Sequence, residues 1–159
     1  MTWVTGITRM SVLYEQPQEV WERVSTFAGV NDEFGPLLRM SAPAGARIDA
    51  TVPIGRRWFR SRLLLFGVLP VEYDDLVFTA IEPGRRFHER SSMLTLRVWE
   101  HERSIEPDPD GCIVRDNVSW QPRFPLPDLL VRAIVDRAFE HRHRRLRRHF
   151  GGRPLPPQR

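Results

Sequence analysis

The chain has 159 residues, a formal net charge of +4, 41% hydrophobic residues and 28% charged residues, which is typical of one soluble globular domain with a real core. Its single cysteine, Cys112, excludes an internal disulfide and a cysteine-rich metal site. The sequence has neither an apolar run of the roughly 18 residues needed to span a membrane nor a signal peptide at its start, so we expect a cytoplasmic protein.

The first elements are predicted to be one strand and two short helices. Residues Trp3 to Tyr14 alternate between apolar and other side chains, which indicates a long strand. Pro17 suits the first turn of a helix, and the segment PQEVWERVSTF carries an apolar stripe at helical spacing. Gly29 ends this helix, and a second short helix or irregular turn follows in NDEFGPLLRM.

The middle of the chain is predicted to be rich in β-strands. Proline and glycine residues divide it into segments that follow one another every 8 to 15 residues with no helix between them, which favours an antiparallel meander. The predicted strands are Leu38–Ala42, Ala46–Val52, Arg56–Phe66, Val71–Ile81, Arg86–Leu94, Leu96–Ile105 and Cys112–Trp120.

A long helix is predicted over Pro127 to Phe150. This segment has no glycine and no further proline, and Gly151 and Gly152 end it. Two neighbouring apolar rows run along it: Leu130, Ile134, Ala138, Leu146 and Phe150 recur at multiples of four, with Val131, Val135 and Phe139 beside them. One side of the helix therefore needs a cover, which only the strands can supply.

Together these elements predict an α+β protein with a helix-grip fold. A curved antiparallel sheet of about seven strands would wrap around the long C-terminal helix, with two short helices after the first strand. Residues 1–151 would form the single domain and residues 152–159 a flexible tail. Because a bent sheet and one helix do not interdigitate completely, we expect a cavity between them, where small ligands bind.

Several stretches resemble the START/Bet v 1-like (SRPBCC) superfamily and its bacterial polyketide cyclase/dehydrase group. The helix PQEVWERVSTF after the first strand, the strand WEHERSIEP, the turn DPDG, the strand VRDNVSW and the arginine-rich ending FEHRHRRLRRHFG carry the resemblance. It spans Trp3 to Gly151 and implies the helix-grip fold. It does not imply one chemistry, because the superfamily includes lipid carriers, hormone receptors and aromatase/cyclases.

Two polar residues are the candidates for chemistry. Asp116 alternates with apolar neighbours along its strand, so we expect it to face the interior, either in a salt bridge with the next strand or as a general base. His101 lies on the partner strand. The five-residue turn does not fix the register, and a slip of one residue would turn Glu100 inward and leave His101 in solvent.

Metal binding is not expected. His88 and Glu89 are adjacent in a strand and point to opposite faces, and His141 and His143 lie on different sides of the helix. We expect no cofactor. The side chains predicted to line the cavity are Phe59, Leu63, Val118, Trp120, Leu130 and Ile134.

The first functional hypothesis is binding of a small hydrophobic or aromatic ligand of lipid or polyketide type. The first alternative is a cyclase/dehydrase-type enzyme that moves protons with His101 or Asp116. The second is a regulatory module that binds polyanions through its arginine-rich C-terminal helix, although we expect no nucleic-acid partner. A homodimer is left open.

Overall fold

A computed structural model describes residues 5–156. The first strand, β1, covers Thr5–Leu13, so the predicted start at Trp3 lies outside the described residues. Helix α1 covers Pro17–Val24 and α2 covers Phe27–Phe34. The Thr26 hydroxyl caps α2 by accepting the backbone N–H of Gly29 at 3.0 Å. One strand and two short helices were predicted here, and the structure confirms their number. The boundary between the helices was wrong, because Gly29, which was predicted to end the first helix, lies within α2.

The rest of the chain forms seven more strands and one long helix. All strands belong to one antiparallel sheet in the order β2-β3-β4-β5-β6-β7-β1-β8. The sheet has eight strands where about seven were predicted, and the α+β helix-grip architecture is confirmed. The elements are β2 Leu38–Met40, β3 Arg57–Leu65, β4 Leu69–Glu82, β5 Arg86–Met93, β6 Leu96–Asp108, β7 Gly111–Pro122, α3 Asp128–Phe150 and β8 Gly152–Leu155.

Two further segments differ from the prediction. Residues 46–52 form turns instead of a strand, because Asp49 accepts hydrogen bonds from the backbone N–H and the hydroxyl of Thr51. Gly152–Leu155, expected at the start of a tail, forms a strand that pairs with Met10–Leu13 of β1. A Cβ atom at Gly152 would lie 2.0 Å from the carbonyl oxygen of Val12, so glycine is what lets the chain approach β1.

The interior beneath α3 holds two apolar clusters. The α1 cluster packs around helix α1, and the α3 cluster packs around the N-terminal half of α3. Within the described residues, no helix is long and apolar enough to cross a membrane. The α1 cluster contains Leu13, Val20, Trp21, Val24, Phe27, Ile48, Val52, Leu76, Phe78, Phe87, Ile105, Cys112, Val114 and Leu146. The α3 cluster contains Met93, Leu96, Val118, Trp120, Val131, Val135 and Phe139.

A layer of charged side chains separates the two clusters. Along α3, Phe139 belongs to the α3 cluster, Arg142 and His143 are buried polar residues, and Leu146 belongs to the α1 cluster. Along β7, Val118 belongs to the α3 cluster, Asp116 is a buried charged residue, and Val114 belongs to the α1 cluster. Charged groups therefore meet at one level between the helix and the sheet.

Candidate functional site

Asp116 lies at the centre of the charged layer. Its side chain is fully buried and accepts hydrogen bonds at both oxygens. His101 Nε2 and Arg103 Nε donate to Oδ1 at 2.7 and 2.8 Å, while Arg103 Nη2 and His143 Nε2 donate to Oδ2 at 2.7 and 2.8 Å. Burial by itself raises the pKa of Asp116, but the charge of Arg103 and the hydrogen bonds outweigh it and hold the pKa well below its ordinary value.

Glu33 supplies the second buried carboxylate of the layer. It comes from α2 and pairs with Arg103 Nη1 at 2.8 Å and with Arg142 Nε of α3 at 3.1 Å. Two guanidinium groups thus face two carboxylates, and their formal charges balance. Burying each charge alone would cost several kcal/mol, roughly, so this pairing is a condition for the interior to fold. We call Glu33, His101, Arg103, Asp116, Arg142 and His143 the ion-pair network.

His143 connects the network to β1. Burial lowers the pKa of His143 despite its hydrogen bond to Asp116, so the ring is neutral near pH 7. Because Nε2 donates to Asp116, Nδ1 must accept, and Ser11 Oγ lies 2.9 Å from it. The Ser11 hydroxyl in turn accepts from Arg147 Nη1 at 2.8 Å. One α3 side chain therefore ties the helix to both β7 and β1.

A second buried acidic pair lies on the sheet beside the network. Burial raises the pKa of Asp74 well above its ordinary value, and the adjacent Glu89 charge and a hydrogen bond with Glu89 raise it further. Asp74 is then the protonated partner that donates to Glu89, which also accepts from Ser91 Oγ at 2.7 Å. Glu89 Oε2 lies 3.9 Å from His101 Nδ1. The acidic pair thus extends the row of buried polar side chains from His101 to β4.

The indole Nε1 of Trp120 is buried and has no hydrogen-bond partner within the described residues. Trp120 belongs to the α3 cluster, and Asp74 is the cross-strand neighbour of Met93, another member. A hydrogen-bond donor is therefore unsatisfied at this apolar cluster.

The two residues predicted to carry chemistry do meet. The register pairs His101 with Val118 and Arg103 with Asp116, which turns His101 inward and leaves Glu100 on the outer face, 2.9 Å from His88 Nε2. Yet His101 is 4% exposed, with ring centres of Phe87 and Phe139 5.3 and 5.1 Å away. The geometry favours the salt-bridge interpretation of Asp116, because its pKa is lowered and both oxygens are already occupied.

The six residues predicted to line a cavity separate into three groups. Val118 and Trp120 are buried in the α3 cluster, with Leu63 packed against it. Phe59 packs instead against the α1 cluster. Leu130 and Ile134 do not face the sheet, being 54% and 60% exposed. The neighbouring row, with Val131 and Val135, faces it, because periodicity alone does not decide between two adjacent apolar rows.

Packed side chains lie in the region where the cavity is expected. In the described part of the chain, residues of the two clusters and of the ion-pair network lie between α3 and the sheet. Two surface grooves have volumes of about 730 and 720 Å³. The first runs over β1, β5, β6 and β7 and reaches Arg132 and Asp136 of α3, and the second lies between α2 and the segment 39–47.

Several residues of the site were missed from the sequence. Arg142 and His143 lie in the arginine-rich helix that was considered as a polyanion-binding surface, yet both are buried. The signal was present, since 131, 135, 139, 142 and 146 form one helical row. Arg103 and Glu89 share the inward side of their strands with the buried Ile105 and Phe87. The missed residues are Glu33, Asp74, Glu89, Arg103, Arg142 and His143.

Comparison with solved structures shows that the fold is similar to those of START superfamily and Bet v 1-type proteins. A START superfamily protein from Mycobacterium smegmatis is similar at a TM-score of 0.62 and 13% identity, covering 92% of this chain and 96% of that one. Ara h 8.0201, of Bet v 1 type, gives 0.64 and 13%, covering 93% and 98%. DynU16, a protein of the dynemicin biosynthetic locus, gives 0.62 and 19%, covering 91% of this chain and 46% of that one. At these identities the likeness concerns the fold alone.

A protein-family model matches residues 11–150 of the chain. The family is described as a domain of unknown function, DUF8410. The chain belongs to this family. No curated protein matches the sequence.

Replacing the central carboxylate should destabilise the fold strongly. Asp116→Asn leaves two buried guanidinium groups, Arg103 and Arg142, with the single carboxylate of Glu33, so we expect the free energy of unfolding to fall by about 3–5 kcal/mol in urea titrations. Asp136→Asn is the matched control. It breaks the partly exposed ion pair with Arg9 and should cost at most about 1 kcal/mol. Equal effects of the two substitutions would contradict the role of Asp116.

Asp74 should make the stability of the fold decrease as the pH rises. Its folded pKa is raised, so the folded state keeps a proton that the unfolded state loses above about pH 4. Stability from this group is therefore greatest below pH 4 and falls as the pH rises towards the folded pKa. Asp74→Asn can still donate to Glu89 without proton uptake, so its stability relative to the wild type should increase between pH 4 and pH 8 in thermal unfolding. A constant difference across this range would show that Asp74 is ionised in the fold.

Proposed function

We propose that the protein binds a small, largely apolar molecule of lipid or polyketide type between the N-terminal half of α3 and the concave sheet. The observation that carries this proposal is the unpartnered buried indole N–H of Trp120. A buried polar group without a hydrogen bond costs about 1–3 kcal/mol. A ligand hydroxyl can accept a hydrogen bond, so it has the chemistry to pair with this N–H group. The remaining contacts would be apolar.

Helix α3 is attached more firmly at its C-terminal half than at its N-terminal half, which supports an entry route for the ligand beneath the N-terminal half. Its C-terminal half is held by polar contacts of Arg142 with Glu33 and of His143 with Asp116, and by His141 Nε2 donating to the Gly35 carbonyl at 2.8 Å. Arg145 adds an ion pair with Asp32 at 3.1 Å.

The N-terminal half of α3 is attached to the sheet more weakly. Val131 and Val135 reach the core, and Asp136 forms a partly exposed ion pair with Arg9 that is worth about 1 kcal/mol or less. The first turns of α3 can therefore separate from the sheet at a lower cost in free energy than the last turns. A bound ligand that replaces the lost apolar contacts recovers this free energy.

The position of Leu130 and Ile134 also supports this route. On α3 they belong to the row that continues, at spacings of three and four, to His141 and Arg145. Those two residues contact Gly35 and Asp32, so α2 runs antiparallel to α3 and ends before Leu130 and Ile134 are reached. The two apolar residues are left without a covering helix. We place them at the mouth of the site instead of at its floor.

Binding can be tested with 1-naphthol, an apolar fluorescent probe with one hydroxyl group. We expect saturable binding with a dissociation constant in the micromolar range, followed by the change in fluorescence. Ile134→Asp should weaken it by about tenfold or more, because a charge at the mouth must be desolvated. Ile54→Asp makes the same change at a similarly exposed position beside Phe78 of β4 and should leave binding unchanged.

The polar contact is tested by comparing 1-naphthol with naphthalene. The hydroxyl should strengthen binding by about fivefold, the value of one neutral hydrogen bond. Trp120→Phe removes the unpartnered N–H and should reduce that advantage. Trp99→Phe removes an indole that packs on the same cluster and should preserve it. Absence of binding, or equal affinity for both probes, would contradict the proposed site.

A further inference from the structure

One end of the molecule is unusually apolar. Of the thirteen exposed large hydrophobic side chains among the described residues, only Tyr14 and Ile54 lie elsewhere. The most exposed members of this end are Val68 at the turn between β3 and β4, 79% exposed, and Leu129 at the start of α3, 80% exposed. Apolar surface on this scale marks an interaction site.

The topology explains why these side chains are neighbours. In an antiparallel meander, alternate turns lie at the same end of the sheet, so the turn at Phe66–Val68, the turn at Leu94 and the segment that follows β7 share one end. Hydrogen bonds connect them: Phe66 N donates to Leu37 O at 2.8 Å, Leu94 N to Tyr73 O at 3.3 Å, and Arg123 N to Thr95 O at 2.9 Å. We call this surface, from Leu37 through these turns to Ile134, the apolar end.

Unpaired positive charge surrounds the apolar end. Five exposed arginines lie in its segments, and the described residues provide none of them with an ion pair: Arg39, Arg62, Arg97, Arg123 and Arg132. The acidic residues there are Glu72 and Asp128. The Glu72 carboxylate is already occupied by the backbone N–H groups of Leu94 and Thr95, at 2.6 and 3.1 Å. The apolar end therefore has an excess of positive charge around its rim.

We propose that the apolar end docks on an anionic membrane surface. Protruding apolar turns can enter the boundary between headgroups and acyl chains, while the arginines meet lipid phosphates. A second copy of the chain fits less well, because a two-fold interface would bring the same patches together and place arginines against arginines. The inference does not rest on the proposed ligand site, since docking needs no guest molecule.

The test is co-sedimentation with lipid vesicles. The full chain should bind vesicles of equal parts phosphatidylcholine and phosphatidylglycerol, bind pure phosphatidylcholine far more weakly, and dissociate as salt is raised. Val68→Asp with Leu129→Asp should lower the partition coefficient by about tenfold or more. Tyr14→Asp with Ile54→Asp changes the charge equally at the opposite end and should cause a much smaller loss. Circular dichroism confirms that each variant is folded.

A second pair of variants separates position from total charge. Arg62→Gln with Arg97→Gln should weaken binding to the anionic vesicles by about fivefold for each arginine. Arg56→Gln with Arg85→Gln removes the same charge from exposed positions away from the apolar end and should have a much smaller effect. Equal losses in the two pairs, or no binding by the wild type, would overturn the inference. So would self-association that Val68→Asp with Leu129→Asp abolishes, since the partner would then be a second copy.

Discussion

The carboxylate of Asp116 is the constraint around which the interior is arranged. It gathers donors from two neighbouring strand positions and from the long helix, all within 2.8 Å. Because these charges are buried, none of them can be moved or removed without leaving a partner unpaired. The position of α3 along the sheet is therefore determined by hydrogen-bond geometry at Asp116 and Glu33, while the apolar clusters above and below supply the bulk of the burial.

This arrangement divides the molecule into two parts with different tasks. The C-terminal half of α3, the helix α2 and the charged layer form the rigid part. The other part comprises the first turns of α3, the α3 cluster and the turns at the apolar end, where few polar contacts hold the helix. Elements that must admit a ligand or meet a surface are generally drawn from the less stable regions of a fold. The proposed ligand site and the proposed membrane-docking surface both lie in this second part.

Much of the fold could be predicted because it follows from periodicity and turn residues, which are local. The register at His101 was harder, since the turn seemed to have five residues. The strands in fact extend until Asp108 pairs with Gly111, and the short connection then determines the register. The charged layer was missed because buried arginines are rare, so the arginines of the C-terminal helix were considered only as a surface for polyanions. Only the partner Glu33, distant in sequence, shows why Arg142 can be buried.

The division of α3 is tested most directly by amide hydrogen exchange measured along the helix. The account predicts that amides of residues 132–136 exchange about a hundredfold or more faster than those of residues 142–146, because the first turns open locally while the ion-pair network keeps the last turns closed. Uniform protection along α3, or faster exchange in its C-terminal half, would contradict the claim that the network clamps one half of the helix and leaves the other free to move.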